Sequence, residues 1–139
     1  YVKHIELELA RIGKDYREKK LGIVAISSND PATYPEDAPD QLKEMAKRLD
    51  FRFPFCFDET QEIAKAYKAA CTPDFYLFDA QRRLVYRGQL DDSRPGSNTP
   101  VTGRDLRAAI DAVLSGSPVP STQKPSIGCS IKWKARNGP

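Results

Sequence analysis

The sequence is poor in the side chains that build metal centres and disulfide frameworks. Its 139 residues include only three cysteines and one histidine. The cysteines, Cys56, Cys71 and Cys129, lie far apart in the chain, and none has the close spacing to His4 that would suggest a zinc site. We therefore expect no metal and no set of structural disulfides, and nothing in the sequence implies an organic cofactor.

Two other classes of protein are disfavoured because their features are missing. No apolar run approaches the roughly 20 residues of a membrane-spanning helix, so a soluble chain with no membrane partner is expected. The 22 basic and 19 acidic side chains give a net charge of +3, which is too balanced for the basic surface that nucleic-acid binding uses. The sequence leaves the cellular compartment open.

Hydrophobic patterning predicts an α/β domain over residues 1–116. Apolar residues recur at helical spacing across Val2–Tyr16, and the apolar run Ile23–Ile26 predicts a strand that is buried on both faces. Further elements are predicted in the order helix, strand, helix, hairpin and helix, at 42–49, 53–57, 58–67, 75–86 and 102–116. Because the first helix has no strand before it, we also expect an N-terminal strand to be missing from this chain.

Two of these helix starts have capping-box spacing. Asp58 precedes Gln61 by three residues, and Thr102 precedes Asp105 by three. In such a box the first side chain accepts a hydrogen bond from a helix N–H group and the second reaches back to the chain before the helix. We therefore expect both pairs to begin helices.

Residues 117–139 are expected to form a separate C-terminal segment. Ser117–Thr122 has the composition of an extended tether. Beyond it, four apolar residues alternate with glycine or polar residues: Ile127, Cys129, Ile131 and Trp133. An alternation of period two predicts an extended segment that docks on the domain with these four side chains turned inward.

A family resemblance rests on several strings of residues. Thr72-Pro73 opens the strand that ends at Asp79, and Gly88 follows the partner strand; this pattern looks like the cis-proline hairpin of the thioredoxin superfamily. Three further strings narrow the likeness: Tyr1–His4, Tyr86–Pro95 and Lys124–Lys134. With them the chain resembles a bacterial peroxiredoxin-like group among the alkyl hydroperoxide reductase/thiol-specific antioxidant redoxins. The implied fold is a thioredoxin-like three-layer α/β sandwich with a mixed central sheet, truncated at its N-terminus.

The resemblance implies thiol-based redox chemistry for the intact protein, either thiol–disulfide exchange or peroxide reduction. In that group a Cys-x-x-Cys-Pro or similar motif directly precedes the Tyr-Val-Lys-His stretch, so the nucleophile is expected upstream of Tyr1. The start of a helix stabilises a thiolate there. The implied partners are a peroxide or disulfide substrate and a thiol donor such as a thioredoxin-type reductant. The chain that begins at Tyr1 is expected to lack peroxidase turnover, and the alternative function is a binding module without turnover.

Four residues of this chain are candidates for the site. By resemblance Pro73 follows a cis peptide bond and holds the backbone of Thr72 where an extended substrate can pair with it. Cys71 either faces the missing motif or is a small buried hydrophobic residue, and the second interpretation is favoured. Cys129 is either a resolving thiol, which attacks an oxidised upstream cysteine, or a packing residue beneath Trp133.

Other chemically capable residues are expected to have structural roles. Cys56 lies between two phenylalanines and is interpreted as inert core. His4, one turn into the first helix, is expected to be a surface residue rather than a proton donor. Asp91, Asp92 and Arg94 lie in a polar loop, where they form either a local charge cluster or a solvated turn, and the turn is favoured.

Overall fold

A computed structural model of the chain describes residues 1–137. The elements are α1 (Val2–Asp15), β1 (Ala25–Ser27), a 3-10 turn (Pro35–Asp37), α2 (Pro39–Arg48), β2 (Phe55–Phe57), α3 (Glu62–Ala66), β3 (Phe75–Phe78), β4 (Leu84–Gly88) and α4 (Arg104–Ser115). Their order is the predicted one for an α/β chain. No helix in the described part is long and apolar enough to cross a membrane.

The four strands form two pairs. β1 and β2 run parallel with Ile26 opposite Cys56, whereas β3 and β4 form an antiparallel hairpin with Leu77 opposite Tyr86. Both kinds of pairing were expected of a mixed sheet, but within residues 1–137 the two pairs are not hydrogen-bonded to each other. The strand expected before α1 stays a prediction.

The core lies between α1, α4 and the hairpin. It contains the helix residues that the sequence pattern places on one face, together with inward side chains of β3 and β4: Ile5, Ile12, Tyr16, Leu77, Tyr86, Leu90, Leu106, Ala109 and Ile110. Burying each large side chain of this kind stabilises the fold by roughly 1.5–3 kcal/mol. This packing fixes the first turn of α1 near the start of β3.

The prediction that Ile23–Ile26 is a strand buried on both faces is wrong. The strand begins at Ala25, and the side chains of Val24 and Ile26 are 56% and 39% exposed. Cys56 pairs with Ile26 across the sheet and is also exposed, so it is not part of the core. Opposed residues point to the same face of a sheet, and within residues 1–137 that face of β1 and β2 is not covered.

The solvated turn expected around Asp91 is also wrong. Asp91 is buried, and its carboxylate accepts hydrogen bonds from the backbone N–H groups of Ser93, Thr102 and Gly103, at 2.9, 2.8 and 2.7 Å. The last two groups immediately precede α4, which begins without a side-chain cap from its own N-cap residue. The capping box predicted for Thr102 does not form, because the first-turn N–H groups of Asp105 and Leu106 donate instead to the Leu90 carbonyl, at 3.1 and 3.2 Å.

Candidate functional site

The backbone of Thr72 and Pro73 forms the centre of the site. The Thr72–Pro73 peptide bond is cis, which is the geometry that the resemblance implies. Thr72 N–H donates to the carbonyl oxygen of Cys129 at 2.7 Å, and Cys129 N–H donates to the carbonyl oxygen of Thr72 at 3.0 Å. This isolated antiparallel bridge brings two of the candidate residues together.

Cys129 belongs to a longer stretch, residues 123–137, that we call the C-terminal strap. Near its start the strap follows the end of β4: Gln89 N–H donates to the carbonyl of Lys124 at 3.0 Å, and the Ser126 hydroxyl donates to the carbonyl of Gly88 at 2.6 Å. A Cβ atom at Gly88 would lie 2.4 Å from the Lys124 oxygen. Only a glycine at this position lets the strap approach the hairpin so closely.

The far end of the strap is held by Gln61, which is 1% exposed. The Gln61 amide donates to the carbonyls of Ser28 and Lys132, at 2.6 and 3.0 Å. Its oxygen accepts from Lys134 N–H at 2.9 Å and from the Asn137 side chain at 3.0 Å. Gln61 was expected to complete a capping box, but instead it joins the strap to the end of β1.

Asp58, the other member of that predicted box, does cap α3. Its carboxylate accepts hydrogen bonds from the N–H groups of Ile63 and Ala64, at 3.4 and 3.0 Å. Asp58 thus has the predicted role at the helix start, and Gln61 does not. The sequence signal for Gln61 was its spacing from Asp58, which cannot reveal a partner 71 residues further along the chain.

The first turn of α1 lies beside Pro73. Tyr1, His4, Pro73, Arg94 and Ile127 all line one small cavity of about 20 Å³, which has room for about one water-sized group. Tyr1 is the N-cap of α1 and makes no side-chain capping hydrogen bond. The amide N–H groups of such a first turn interact favourably with a negative charge placed beside them.

His4 and Arg94 are more enclosed than the sequence predicted. His4 is half-buried, and its Nε2 lies 2.8 Å from the Ser93 hydroxyl oxygen. The Arg94 guanidinium donates to the carbonyls of Asp91 and Ser93, each at 2.8 Å, and also to the Gln89 side chain. Neither a surface position for His4 nor a solvated one for Arg94 is observed, because the loop after β4 folds back over α1.

The cysteines occupy different environments, and all three are free thiols. Cys71 is half-buried, and its Sγ donates to the Pro73 carbonyl at 3.4 Å. Burial, followed by the nearby Asp74 carboxylate, raises the pKa of the Cys71 thiol. Cys71 is therefore held in the protonated form, which is the less nucleophilic one.

The prediction that four strap side chains turn inward is wrong for two of them. Ile131 is 8% exposed and Trp133 is half-buried, but Ile127 is 52% exposed and Cys129 is exposed. The strap lies against the domain through the backbone hydrogen bonds of Lys124, Cys129 and Lys132. Its Cys129 pairs through the backbone, however, and this leaves the thiol open to solvent.

No group of side chains in residues 1–137 is arranged to hold a metal ion. The site combines the start of α1, the backbone of Thr72 paired with that of Cys129, and the exposed Cys129 thiol.

Comparison with known proteins gives a consistent result. Residues 1–87 match the AhpC/TSA family. A crystal structure of an uncharacterized conserved protein from Geobacillus kaustophilus is 60% identical with a TM-score of 0.94, and the match covers 97% of this chain and 71% of that one. A hypothetical protein from Sinorhizobium meliloti 1021 is 52% identical with a TM-score of 0.95, and the match covers 97% of this chain and 74% of that one. No curated protein matches.

Proposed function

Because the chain belongs to the AhpC/TSA family, which has a thioredoxin-like fold, we propose that the intact protein is a thiol-based redox protein that reduces peroxides or disulfides. Its nucleophile is a cysteine just upstream of Tyr1. The observation that supports this most is the shared cavity of Tyr1, Pro73 and Ile127. In the motif that the resemblance implies, a proline stands between the second cysteine and Tyr1, so the Cα atom of that cysteine lies within two Cα–Cα steps, about 7.6 Å, of the Tyr1 Cα atom. This distance keeps the cysteine near the cavity that Pro73 and Ile127 line.

The helix start supports the nucleophile's reactivity. α1 is 14 residues long, and its first turn has neither a side-chain cap nor an acidic residue. A thiolate at that end interacts favourably with the free N–H groups and with the helix dipole, which together lower a thiol pKa. The cysteine pKa that matters for function is therefore set by α1.

The proposed peroxide reaction has three steps. The upstream thiolate attacks the O–O bond and becomes a sulfenic acid, while the departing alkoxide takes a proton and leaves as an alcohol. The Cys129 thiol then attacks the sulfenic sulfur, so that an S–S bond forms and water leaves. An external dithiol such as a thioredoxin-type reductant regenerates both thiols by exchange and is itself oxidised to a disulfide.

With a disulfide substrate the same thiolate attacks one sulfur and expels the other as a thiolate. Cys129 then attacks the mixed disulfide, and the second substrate thiol is released. The exposure of Cys129 suits its last role, because an external reductant can reach that sulfur without opening the core. Cys71 has a raised pKa and a hydrogen bond to Pro73, so we assign it no step.

The test uses the intact protein, in which we expect a dithiol donor to sustain peroxide or cystine consumption. Replacing the upstream cysteine with serine should abolish turnover. Cys129→Ser should stop disulfide formation and leave the sulfenic acid trappable by dimedone, as read by mass spectrometry of non-reduced peptides. Cys56→Ser is the matched control, since Cys56 is also an exposed thiol but lies on β2.

Two results would contradict this function. The proposal fails if no cysteine precedes Tyr1 in the intact protein, or if turnover survives its replacement. In the first case the alternative function is favoured, a binding module in which Thr72 and Pro73 hold a partner without chemical turnover. If instead turnover continues normally in Cys129→Ser, Cys129 is not the resolving thiol.

A further inference from the structure

The edge of Thr72 has no free hydrogen-bonding group. An extended polypeptide binds a strand edge by pairing with backbone N–H and C=O groups. At Thr72 both of these groups already pair with Cys129, at 2.7 and 3.0 Å. The protein's own strap thus occupies the position that an added strand would need.

The fit of the strap at this position is close. A Cβ atom at Gly128 would lie 2.1 Å from the Thr72 carbonyl oxygen and 3.0 Å from the Pro73 nitrogen. No side chain fits in that space, so the strap lies directly on the Thr72–Pro73 backbone. A second extended chain cannot share this edge with it.

The strap is also anchored on both sides of this contact. Before it, Ser126 donates to the carbonyl of Gly88. After it, Lys132 N–H donates to the Asn29 side chain at 2.9 Å, and the Lys132 carbonyl accepts from Asp30 N–H at 2.8 Å. The Gln61 amide adds its own bond to that carbonyl. Releasing Thr72 therefore requires more than breaking the two bonds of the bridge itself.

We propose that the C-terminal strap determines the substrate class of the site by acting as a built-in strand at Thr72. Extended polypeptides are excluded, and small molecules such as hydroperoxides and low-molecular-weight disulfides reach the reactive sulfur. The substrate part of this proposal rests on the proposed function. The exclusion part concerns only Thr72 and the strap, so it can be tested on the chain as it is.

The sharpest variant is Gly128→Ala, because its new methyl group collides with backbone and cannot be accommodated without moving the strap. Gly22→Ala is the matched control, since a Cβ atom there meets nothing within 4 Å. Ser126→Ala removes a single anchor and provides a milder variant if Gly128→Ala does not fold. In both experiments described below, Ser126→Ala should change the measured quantity in the same direction as Gly128→Ala, but by less.

The first experiment uses residues 1–139 and involves no thiol chemistry. Amide hydrogen exchange at Thr72 and Cys129 should be at least about tenfold faster in Gly128→Ala than in the wild type or Gly22→Ala, because both bridging bonds are lost. Reduced, carboxymethylated insulin B chain should shift the Thr72 amide resonance only in Gly128→Ala. Equal exchange rates, or a shift of that resonance in the wild type, would overturn the exclusion.

The second experiment compares insulin with cystine as substrates of the intact protein. The ratio of insulin to cystine turnover should rise at least about tenfold in Gly128→Ala, since the two bridging bonds no longer compete with the polypeptide, and should stay unchanged in Gly22→Ala. An unchanged ratio in Gly128→Ala, with cystine turnover present, overturns the substrate assignment and leaves the proposed function standing. Turnover of neither substrate contradicts the proposed function, and the exchange experiment then decides the exclusion alone.

Discussion

At the scale of single residues, Gln61 stands out because its buried side chain uses its full hydrogen-bonding capacity. A neutral amide offers two donor hydrogens and two acceptor lone pairs, and Gln61 uses all four, three of them with the strap. A buried amide in this position is costly to change, because every substitution leaves at least one backbone group without a partner.

We expect Gln61→Glu to lower the free energy of unfolding by about 2–4 kcal/mol, because the carboxylate cannot donate to Ser28 or Lys132 and is itself buried. The emission of Trp133, the only tryptophan, should shift to longer wavelength as the strap loosens. Urea unfolding followed by fluorescence measures both effects. Gln41→Glu on the exposed face of α2 is the control, and equal stability of the two variants would refute the role of Gln61.

At the scale of elements, α4 begins with help from a distant residue. Its N-cap, Gly103, has a φ of 71° and no side chain to offer. The loop after β4 holds this end of the helix in two ways. The buried Asp91 carboxylate accepts from the N–H groups of Thr102 and Gly103, just before α4. The Leu90 carbonyl accepts from the first-turn N–H groups of Asp105 and Leu106. The stability of α4 therefore depends on that loop as much as on its own sequence.

Asp91→Ala should lower the free energy of unfolding by about 2–4 kcal/mol, since it leaves three backbone N–H groups without an acceptor, those of Ser93 and Gly103 in buried positions. Asp40→Ala is the comparison, because Asp40 lies in the first turn of α2 but is exposed and bonds only Gln41 N–H. That change should cost less than about 1 kcal/mol. Similar losses in the two variants, measured by chemical denaturation, would show that Asp91 does not hold the chain at the start of α4.

The contrast between Asp91 and the helices shows what sequence can reveal. α1, the hairpin and α4 were predictable because the spacing of their own apolar residues encodes them. The same local patterns could not reveal that Asp91 binds the chain just before α4 or that Gln61 holds the strap, since in both cases packing of distant segments determines the partner. The orientation of Cys129 could not be predicted either. Alternation of apolar residues identifies the extended segment, but the backbone pairing with Thr72 determines which way the Cys129 side chain points.

At the scale of the whole molecule, the strap connects parts that the strands leave separate. Within the described chain, β1–β2 and β3–β4 share no hydrogen bonds. The strap pairs with Thr72 just before β3, and with Asn29 and Asp30 just after β1. The candidate site therefore lies where the strap crosses from one strand pair to the other.

The stability of the whole fold should fall in strong alkali. Burial, followed by the hydrogen bond to Asp111, raises the pKa of Tyr16 to about 12, and burial, followed by the Asp105 carboxylate, raises that of Tyr86 to about 12. In the unfolded chain a tyrosine ionises near pH 10. Between these values the folded state holds more protons than the unfolded state, so stability is fully present below about pH 10 and is lost as pH rises towards 12.

Each of these two tyrosines should therefore cost about 1 kcal/mol of stability by pH 11. Urea unfolding at pH 8, 10 and 11 measures the slope. Tyr16→Phe should be less stable at pH 8, because the hydrogen bond to Asp111 is lost, yet its stability should fall less steeply between pH 10 and 11. If the stability of Tyr16→Phe falls as steeply between pH 10 and 11 as that of the wild type, ionisation of Tyr16 does not cause the loss.

The position of the strap in the chain has a consequence for biosynthesis. Ribosomes make proteins from the N-terminus at about 5–20 residues per second, so α1 and Thr72 emerge well before Cys129. For several seconds a nascent chain presents the Thr72 edge with no strand beside it, and an open edge is a template for pairing with other chains. A messenger RNA whose translation stops before the codon for Gln123 would yield a protein that never gains the strap. That product should depend on chaperones to stay in solution.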